Sequence, residues 1–236
     1  MRRIISRRLF LAVTGGALVA PTISLAASEV PELLDHILLG CNDLQRGIDF
    51  VEQHTGVRAA FGGVHPGRGT QNALVSLGER RYLEIIAPDP KQNGPAWHPQ
   101  ITTMTEPRLI GWAAHVGDIN QIASRLRQAD SAYYGPESGS RKHPDGRVLS
   151  WKNLTLKDDH GGLLPFFIEW SADSKHPSED APRGCRLDSF AAVSPNSDGL
   201  LQALKTLGVE MPVVRGEKEH LLAKLSSSKG SFEITS

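Results

Sequence analysis

A unit made of a strand, an aspartate and a helix recurs three times, and this repeat constrains the fold more than any other feature of the chain. The copies begin at Leu34, Ile110 and Leu187, and two of their helix-like runs end at Gly56 and Gly208. An aspartate before a helix accepts hydrogen bonds from the free N–H groups of the first turn, and a glycine suits a left-handed C-cap. The aspartates Asp43, Asp118 and Asp198 are 75 and 80 residues apart, so each unit is a small supersecondary domain.

Each unit ends in a second strand that is rich in β-branched and aromatic residues. These final strands cover 81–86, 165–170 and 231–234, and further extended stretches precede each of them. The sequence therefore predicts an α+β fold made of βαβββ modules. We place module 1 at 30–106, module 2 at 107–180 and a partial third module at 185–236.

The first 26 residues have the layout of an export signal. Four arginines, Arg2, Arg3, Arg7 and Arg8, flank the start of an apolar run at 9–20, and small residues follow at 24–26. The segment Ser6-Arg7-Arg8-Leu9-Phe10-Leu11 resembles the twin-arginine export signal. We predict a twin-arginine signal peptide at 1–26 and a mature protein in the periplasm or outside the cell; the alternative is a membrane anchor.

Charge and composition argue against several classes of partner. The chain has 26 basic and 26 acidic residues, and removal of the signal arginines leaves 22 basic residues, which argues against nucleic-acid binding. No later segment approaches the roughly 20 apolar residues that span a bilayer, so we expect no membrane contact after signal removal. Cys41 and Cys185 are too few for a disulfide scaffold, and whether they pair stays open.

Four segments carry a resemblance to a known superfamily. They are Leu34-Asp35-His36-Ile37, the glycine-rich 62–72, 82–89 and 164–170. With the paired modules, they resemble the vicinal oxygen chelate superfamily, which includes glyoxalase I, extradiol dioxygenases and fosfomycin- and bleomycin-resistance proteins. Within it, the chain is most similar to the bacterial glyoxalase-like domain family. The resemblance implies that modules 1 and 2 form an incomplete β-barrel cup, with the partial third module packed against it.

The resemblance also implies a metal site in the cup, with ligands on the first and last strands of a module. Trp112 stands where the superfamily usually has His or Gln, which departs from the four-ligand pattern. The predicted ligands of a divalent Zn, Mn, Fe or Ni ion are His36, Glu84 and Glu169. Glu84 is also a predicted catalytic residue, and Trp112 is expected at the rim of the cup as a substrate contact.

The alternation of side chains along a strand gives this site a physical basis. Tyr82, Glu84 and Ile86 share a largely apolar face, where a lone carboxylate is costly to bury unless it is paired or bound to metal. The alternative is that Glu84 lies on a solvated face. His36 could equally be a core histidine with satisfied hydrogen bonds.

The segment 62–72 has the most unusual local composition, with four glycines around His65 and Arg68. Glycines let the backbone approach a ligand closely. We predict a substrate-facing loop in which His65 is a catalytic base or ligand and Arg68 and Asn72 contact substrate; the alternative is a flexible hairpin. Arg147 follows a Pro-Asp-Gly turn and could clamp a carboxylate or phosphate, or lie on a solvated turn.

Together these features predict an exported, metal-dependent enzyme of the lyase, isomerase or dioxygenase type that acts on a small oxygen-rich substrate. The alternative is a non-catalytic protein that sequesters a small molecule in the same cup, which Trp112 favours slightly because an indole can stack on a ligand. The sequence leaves open the substrate, the metal and whether the protein forms a homodimer.

Overall fold

The computed structural model describes residues 30–93, 96 and 98–236. The predicted signal peptide lies outside the described residues. Within those ranges, every helix is too short or too polar to cross a membrane.

Three successive βαβββ segments follow one another along the chain, as predicted. The first consists of β1 (Leu34–Gly40), α1 (Leu44–Thr55), β2 (Ala60–His65), β3 (Thr70–Gly78) and β4 (Arg81–Pro88). The second consists of β5 (Arg108–His115), α2 (Ile119–Gln128), β6 (Tyr133–Lys142), β7 (Val148–Leu156) and β8 (Phe166–Trp170). The third consists of β9 (Cys185–Ser194), α3 (Ser197–Leu207), β10 (Val213–Arg215), β11 (His220–Ser227) and β12 (Gly230–Thr235).

The helix ends follow the capping pattern in the sequence, with one exception. The Asp43 and Asp118 side chains accept from backbone N–H groups in the first turns of α1 and α2. The third cap is Asn196 and not Asp198, because the Asn196 side chain accepts from the Gly199 N–H and Asp198 already lies within the first turn. Gly56 and Gly208, which follow α1 and α3, adopt the left-handed backbone conformation, as predicted.

The first two modules form one eight-stranded sheet that curls into the predicted cup. Its strand order is β2-β3-β4-β1-β5-β8-β7-β6. In each module the last strand lies parallel to the first, and the modules join through antiparallel β1 and β5. Between the two edge strands, the Arg141 guanidinium on β6 donates to the carbonyl of Gly62 on β2.

The third module forms a separate sheet of order β10-β9-β11-β12. Its pairing differs from that of the other modules, since antiparallel β11, rather than a parallel final strand, lies beside the first strand. This module packs on the outside of the cup, where the Phe190 ring on β9 lies 5.6 Å from the Trp112 ring on β5. A continuous core therefore joins all three modules.

Strand alternation separates this core from the inside of the cup. On β4, Leu83 and Ile85 belong to the core, while Tyr82 and Glu84 line the concave face. On β8, Phe167 is a core residue, and the side chains of Phe166, Ile168 and Trp170 point the other way and line the cup. The concave face is thus left free to carry a site.

Candidate active site in the cup

A cavity of about 300 Å³ opens on the concave face, and the two modules contribute different side chains to it. The first module supplies polar and titratable groups, namely His36, His65, Arg68, Asn72 and Glu84. The second module supplies three aromatic rings, Trp151, Phe166 and Trp170, together with Arg141 and the polar residues Ser138, Ser140 and Asn153. A ligand in this cavity would therefore lie between the polar wall of the first module and a wall of mixed aromatic and polar groups from the second.

Glu84 on β4 is the centre of the polar wall and is 7% exposed. Its Oε1 accepts a hydrogen bond from Asn72 Nδ2 at 2.7 Å. His36 Nε2 lies 3.3 Å from Oε2, and His65 Nε2 lies 3.5 Å from Oε1. Burial alone would raise the pKa of Glu84, but the two histidines and Asn72 together hold it below its ordinary value. Glu84 is therefore an ionised carboxylate at the floor of the cavity.

His36 is held in place by a buried acidic network on its other side. Its ring stacks on Tyr82 with centroids 4.5 Å apart, and Nδ1 lies 2.7 Å from Asp35 Oδ1. Asp35 Oδ2 also accepts from Trp170 Nε1 at 3.0 Å and lies 3.2 Å from His176 Nε2. Burial would raise the pKa of Asp35, but the hydrogen bonds from His176 and His36 hold it well below its ordinary value. Asp35 thus accepts a hydrogen bond from Nδ1 of His36 and turns Nε2 of the same ring towards Glu84.

His65, at the end of β2, has a similar arrangement. Its Nδ1 lies 2.9 Å from Thr70 Oγ1, and its Nε2 lies 3.3 Å from Asn72 Nδ2, which can only donate. Burial is the main cause that lowers the pKa of His65. His65 is therefore a neutral imidazole with the Nε2 lone pair directed towards Asn72 and Glu84.

The chemistry of these donors fits a divalent metal ion. Both histidines engage Nδ1 with an oxygen and turn Nε2 to Glu84, which is how metal-binding histidines are usually supported. Adjacent ligands at zinc-like bond lengths are about 3.0–3.4 Å apart, close to the two Nε2–oxygen separations given above. In the ranges that the structure describes, no group of three or more His, Cys, Asp or Glu side chains lies where it could hold a metal ion.

Glu169 does not join this cluster, and the prediction that it converges with His36 and Glu84 is wrong. Its Oε2 accepts from the backbone N–H of Ile119 at 2.7 Å, and its Oε1 lies 2.9 Å from Lys152 Nζ. The reason is strand alternation, since Glu169 shares the outer face of β8 with Phe167. The free N–H groups at the start of α2 then attract its carboxylate.

Two predicted substrate contacts also lie away from the cavity. Trp112 is fully buried in the core, not at the rim, because it lies on the outer face of β5 and its Nε1 donates to the carbonyl of Leu163. Arg147 lies on an exposed turn, where its guanidinium pairs with Asp145 and Asp180 at 2.6 Å each. The solvated-turn interpretation therefore describes Arg147 correctly.

The remaining predicted residues do line the cavity, and the structure adds others that the sequence did not reveal. Alternation from Phe167, once that residue is placed in the core, puts Phe166, Ile168 and Trp170 on the cup face. No sequence pattern indicated the hydrogen bonds of Asp35 behind His36, because one partner, His176, lies in a loop 141 residues along the chain from Asp35. Arg141 was equally hidden within an exposed-looking polar strand.

The chain is similar to several solved structures, of which the first described below supports the fold. A hypothetical protein from Staphylococcus aureus aligns with a TM-score of 0.58 and 18% identity, covering 85% of this chain and 84% of that chain. Methylmalonyl-CoA epimerase from Mycobacterium tuberculosis gives 0.44 and 19%, covering 63% and 94%. The Streptomyces coelicolor epimerase gives 0.44 and 19%, covering 61% and 100%. A search of curated proteins finds no match.

A family comparison agrees with the topology. Residues 34–208, which include both cup modules and extend through α3, match the sequence model described as a glyoxalase-like domain. This match covers well over half of the chain. The chain therefore belongs to the glyoxalase-like domain family.

Proposed function

We propose that the protein is a metal-dependent enzyme that moves protons on a small oxygen-rich substrate bound in the cup. The observation that supports this most strongly is Glu84, a buried carboxylate flanked by two imidazoles at the floor of an open cavity. Burying an ionised carboxylate costs free energy, and a purely structural role would not offset that cost. Clusters of buried titratable groups in a cleft are typical of active sites.

His36, His65 and Glu84 are the residues that would hold the ion. Two imidazoles and one carboxylate suit Zn, Mn, Fe(II) or Ni and leave positions open for substrate. When bound, the ion would polarise a substrate carbonyl or stabilise an enediolate. His65 takes the ligand position that the sequence had assigned to Glu169, so all three donors come from the first module.

The side chains around the three donors prepare them for proton transfer. Asn72 contacts both Glu84 and His65, so a proton taken by either group stays within one hydrogen-bonded set. Because burial lowers the pKa of His65, its imidazole is unprotonated near neutral pH and can offer its Nε2 lone pair to the ion, which leaves the Glu84 carboxylate to accept a substrate proton.

The sequestering role loses the observation that favoured it. Trp112 had suggested a ring that stacks on a ligand, but this indole lies in the core beneath the third module. Export through the twin-arginine route remains a proposal that rests on the arginine pair and the apolar run, since the segment lies outside the described residues.

Turnover measurements with two matched variants test the proposed function. The purified protein is screened against α-keto aldehydes, catechols and lactones, with Zn, Mn, Fe(II) or Ni added. Glu84→Gln keeps the shape of the side chain and removes its charge, so we expect it to abolish turnover. Glu169→Gln makes the same change on the opposite face of the sheet and should retain turnover. Equal turnover by the wild type and Glu84→Gln would contradict the proposal.

A further inference from the structure

The second module places a buried cation on the wall of the cavity. Arg141 on β6 is only 4% exposed, and its Nη1 donates to the carbonyl of Gly62. In the described part of the chain, Arg141 forms no ion pair with a carboxylate. A buried guanidinium without a counter-ion is unfavourable, so a bound anion would offset the cost of burying it.

The other charged groups of the cavity are already engaged. Arg68 forms an ion pair with Glu137 at 3.1 Å. Glu84 is the acidic group whose charge reaches Arg141, but the two form no ion pair in the described part of the chain, and Glu84 Oε1 accepts a hydrogen bond from Asn72. Arg141 is therefore the cation of the cavity best placed to receive the anionic group of a ligand.

Two indole rings give the wall beside Arg141 its shape. The rings of Trp151 and Trp170 have centroids 5.5 Å apart, with planes inclined at 58°. The Trp170 ring is fixed by its hydrogen bond to Asp35. Gly139 lies opposite Trp151 in the β6–β7 pair, and a Cβ there would come within 2.6 Å of the indole. A glycine at this position therefore lets the Trp151 ring lie flat against β6.

These observations define a ligand shape. Flat aromatic faces favour planar rings over puckered ones, and a guanidinium favours a carboxylate that it can bind with two parallel hydrogen bonds. A cavity of about 300 Å³ is at the small end for ligand sites, so the occupant is a small molecule.

We propose that the substrate is a small planar carboxylate. Its aromatic or conjugated plane lies against the face of one of the two indoles, Trp151 or Trp170, and meets the other at its edge; its carboxylate binds Arg141, and its reacting oxygen function lies at Glu84. Only the last of these three contacts rests on the proposed function. The other two contacts predict binding of planar carboxylates whether or not the protein turns them over.

Calorimetric titration with three simple probes tests this inference on chelator-treated, metal-free protein. Benzoate is planar and anionic, benzamide is planar and neutral, and cyclohexanecarboxylate is anionic but puckered. We expect benzoate to bind about tenfold or more tightly than benzamide, in line with the strength of hydrogen bonds between charged groups. It should also bind more tightly than cyclohexanecarboxylate, whose puckered ring cannot lie flat on an indole. No measurable binding of benzoate, or equal affinity for benzoate and benzamide, would overturn the inference.

Two arginine variants localise the effect. Arg141→Gln should weaken benzoate binding about tenfold and leave benzamide binding nearly unchanged. Arg147→Gln, which removes an arginine from the exposed turn, should leave both affinities unchanged. Because Arg141 also joins β6 to β2, circular dichroism checks the fold, and the wild-type comparison of probes stands if the variant unfolds. Unchanged benzoate affinity in folded Arg141→Gln would overturn the inference. Failure of turnover or metal binding would leave these results intact.

Discussion

Asp35→Asn should destabilise the protein strongly, although it changes one buried atom. The wild-type carboxylate receives three donors, from His36 at 2.7 Å, Trp170 at 3.0 Å and His176 at 3.2 Å. An asparagine replaces one acceptor oxygen by an NH₂ group, so one of the three donors meets another donor unless the facing histidine changes tautomer. Loss of the charge and of one buried hydrogen bond should lower the free energy of unfolding by about 3 kcal/mol.

Thermal unfolding measured by circular dichroism provides the assay for this prediction. For a chain of this size, about 3 kcal/mol corresponds to a decrease in melting temperature of about 6–12 °C. Asp145→Asn is the matched control, since Asp145 also bonds to neighbouring side chains but is exposed, and solvent screening makes its loss small. Equal melting temperatures for the two variants would refute the reasoning about the buried network.

The same substitution should also weaken metal binding. If the amide introduced by Asp35→Asn donates to Nδ1 of His36, the ring must carry its proton on Nε2, which then lacks the lone pair that a metal needs. Changes of this kind around metal-binding histidines typically cost about 10–100-fold in affinity. Unchanged zinc affinity in folded Asp35→Asn would show that Asp35 does not position His36.

Three further predictions concern other parts of the chain. Trp112→Ala should lower the free energy of unfolding by about 3–5 kcal/mol in urea denaturation, because it empties a fully buried site beneath the third module. The pKa of Glu169 is lowered because its carboxylate accepts from the Ile119 N–H and pairs with a lysine. Its contribution to stability is therefore complete above its ordinary pKa and is lost as the pH falls from there through the lowered pKa. The difference in unfolding free energy between the wild type and Glu169→Gln should therefore shrink as the pH falls below about 4.5, and a constant difference would argue against the helix-capping role. Changing both Arg7 and Arg8 to Lys should retain the precursor in the cytoplasm, which cell fractionation would show; normal export would remove the twin-arginine proposal.

The repeat made the fold predictable from sequence, because each module combines a capped amphipathic helix with strands of clear character. The same local rules could not fix how the third module pairs its strands. Its first strand takes antiparallel β11 as a neighbour, although the order of elements is the same as in the other two modules. Pairing of this kind depends on contacts between residues far apart in the chain, which periodicity does not report.

The candidate site was predictable on the first module and not on the second. His36 and Glu84 lie on adjacent strands whose faces follow from alternation, and the glycine-rich segment brings His65 to them. Glu169 was assigned by analogy between modules, although its shared face with Phe167 already placed it on the outer side of β8. Arg141 escaped notice because the burial of a long polar side chain depends on how the two edges of the sheet meet.

The most direct test of the central claim is the metal content of the folded protein. Wild-type, Glu84→Gln and Glu169→Gln proteins are equilibrated with Zn, Mn, Fe(II) or Ni, freed of unbound ion and measured by elemental analysis. The account predicts a single divalent ion per chain in the wild type and in Glu169→Gln, and loss of that ion in Glu84→Gln. Absence of a bound ion from the wild type with every metal, or equal metal content in Glu84→Gln, would contradict it.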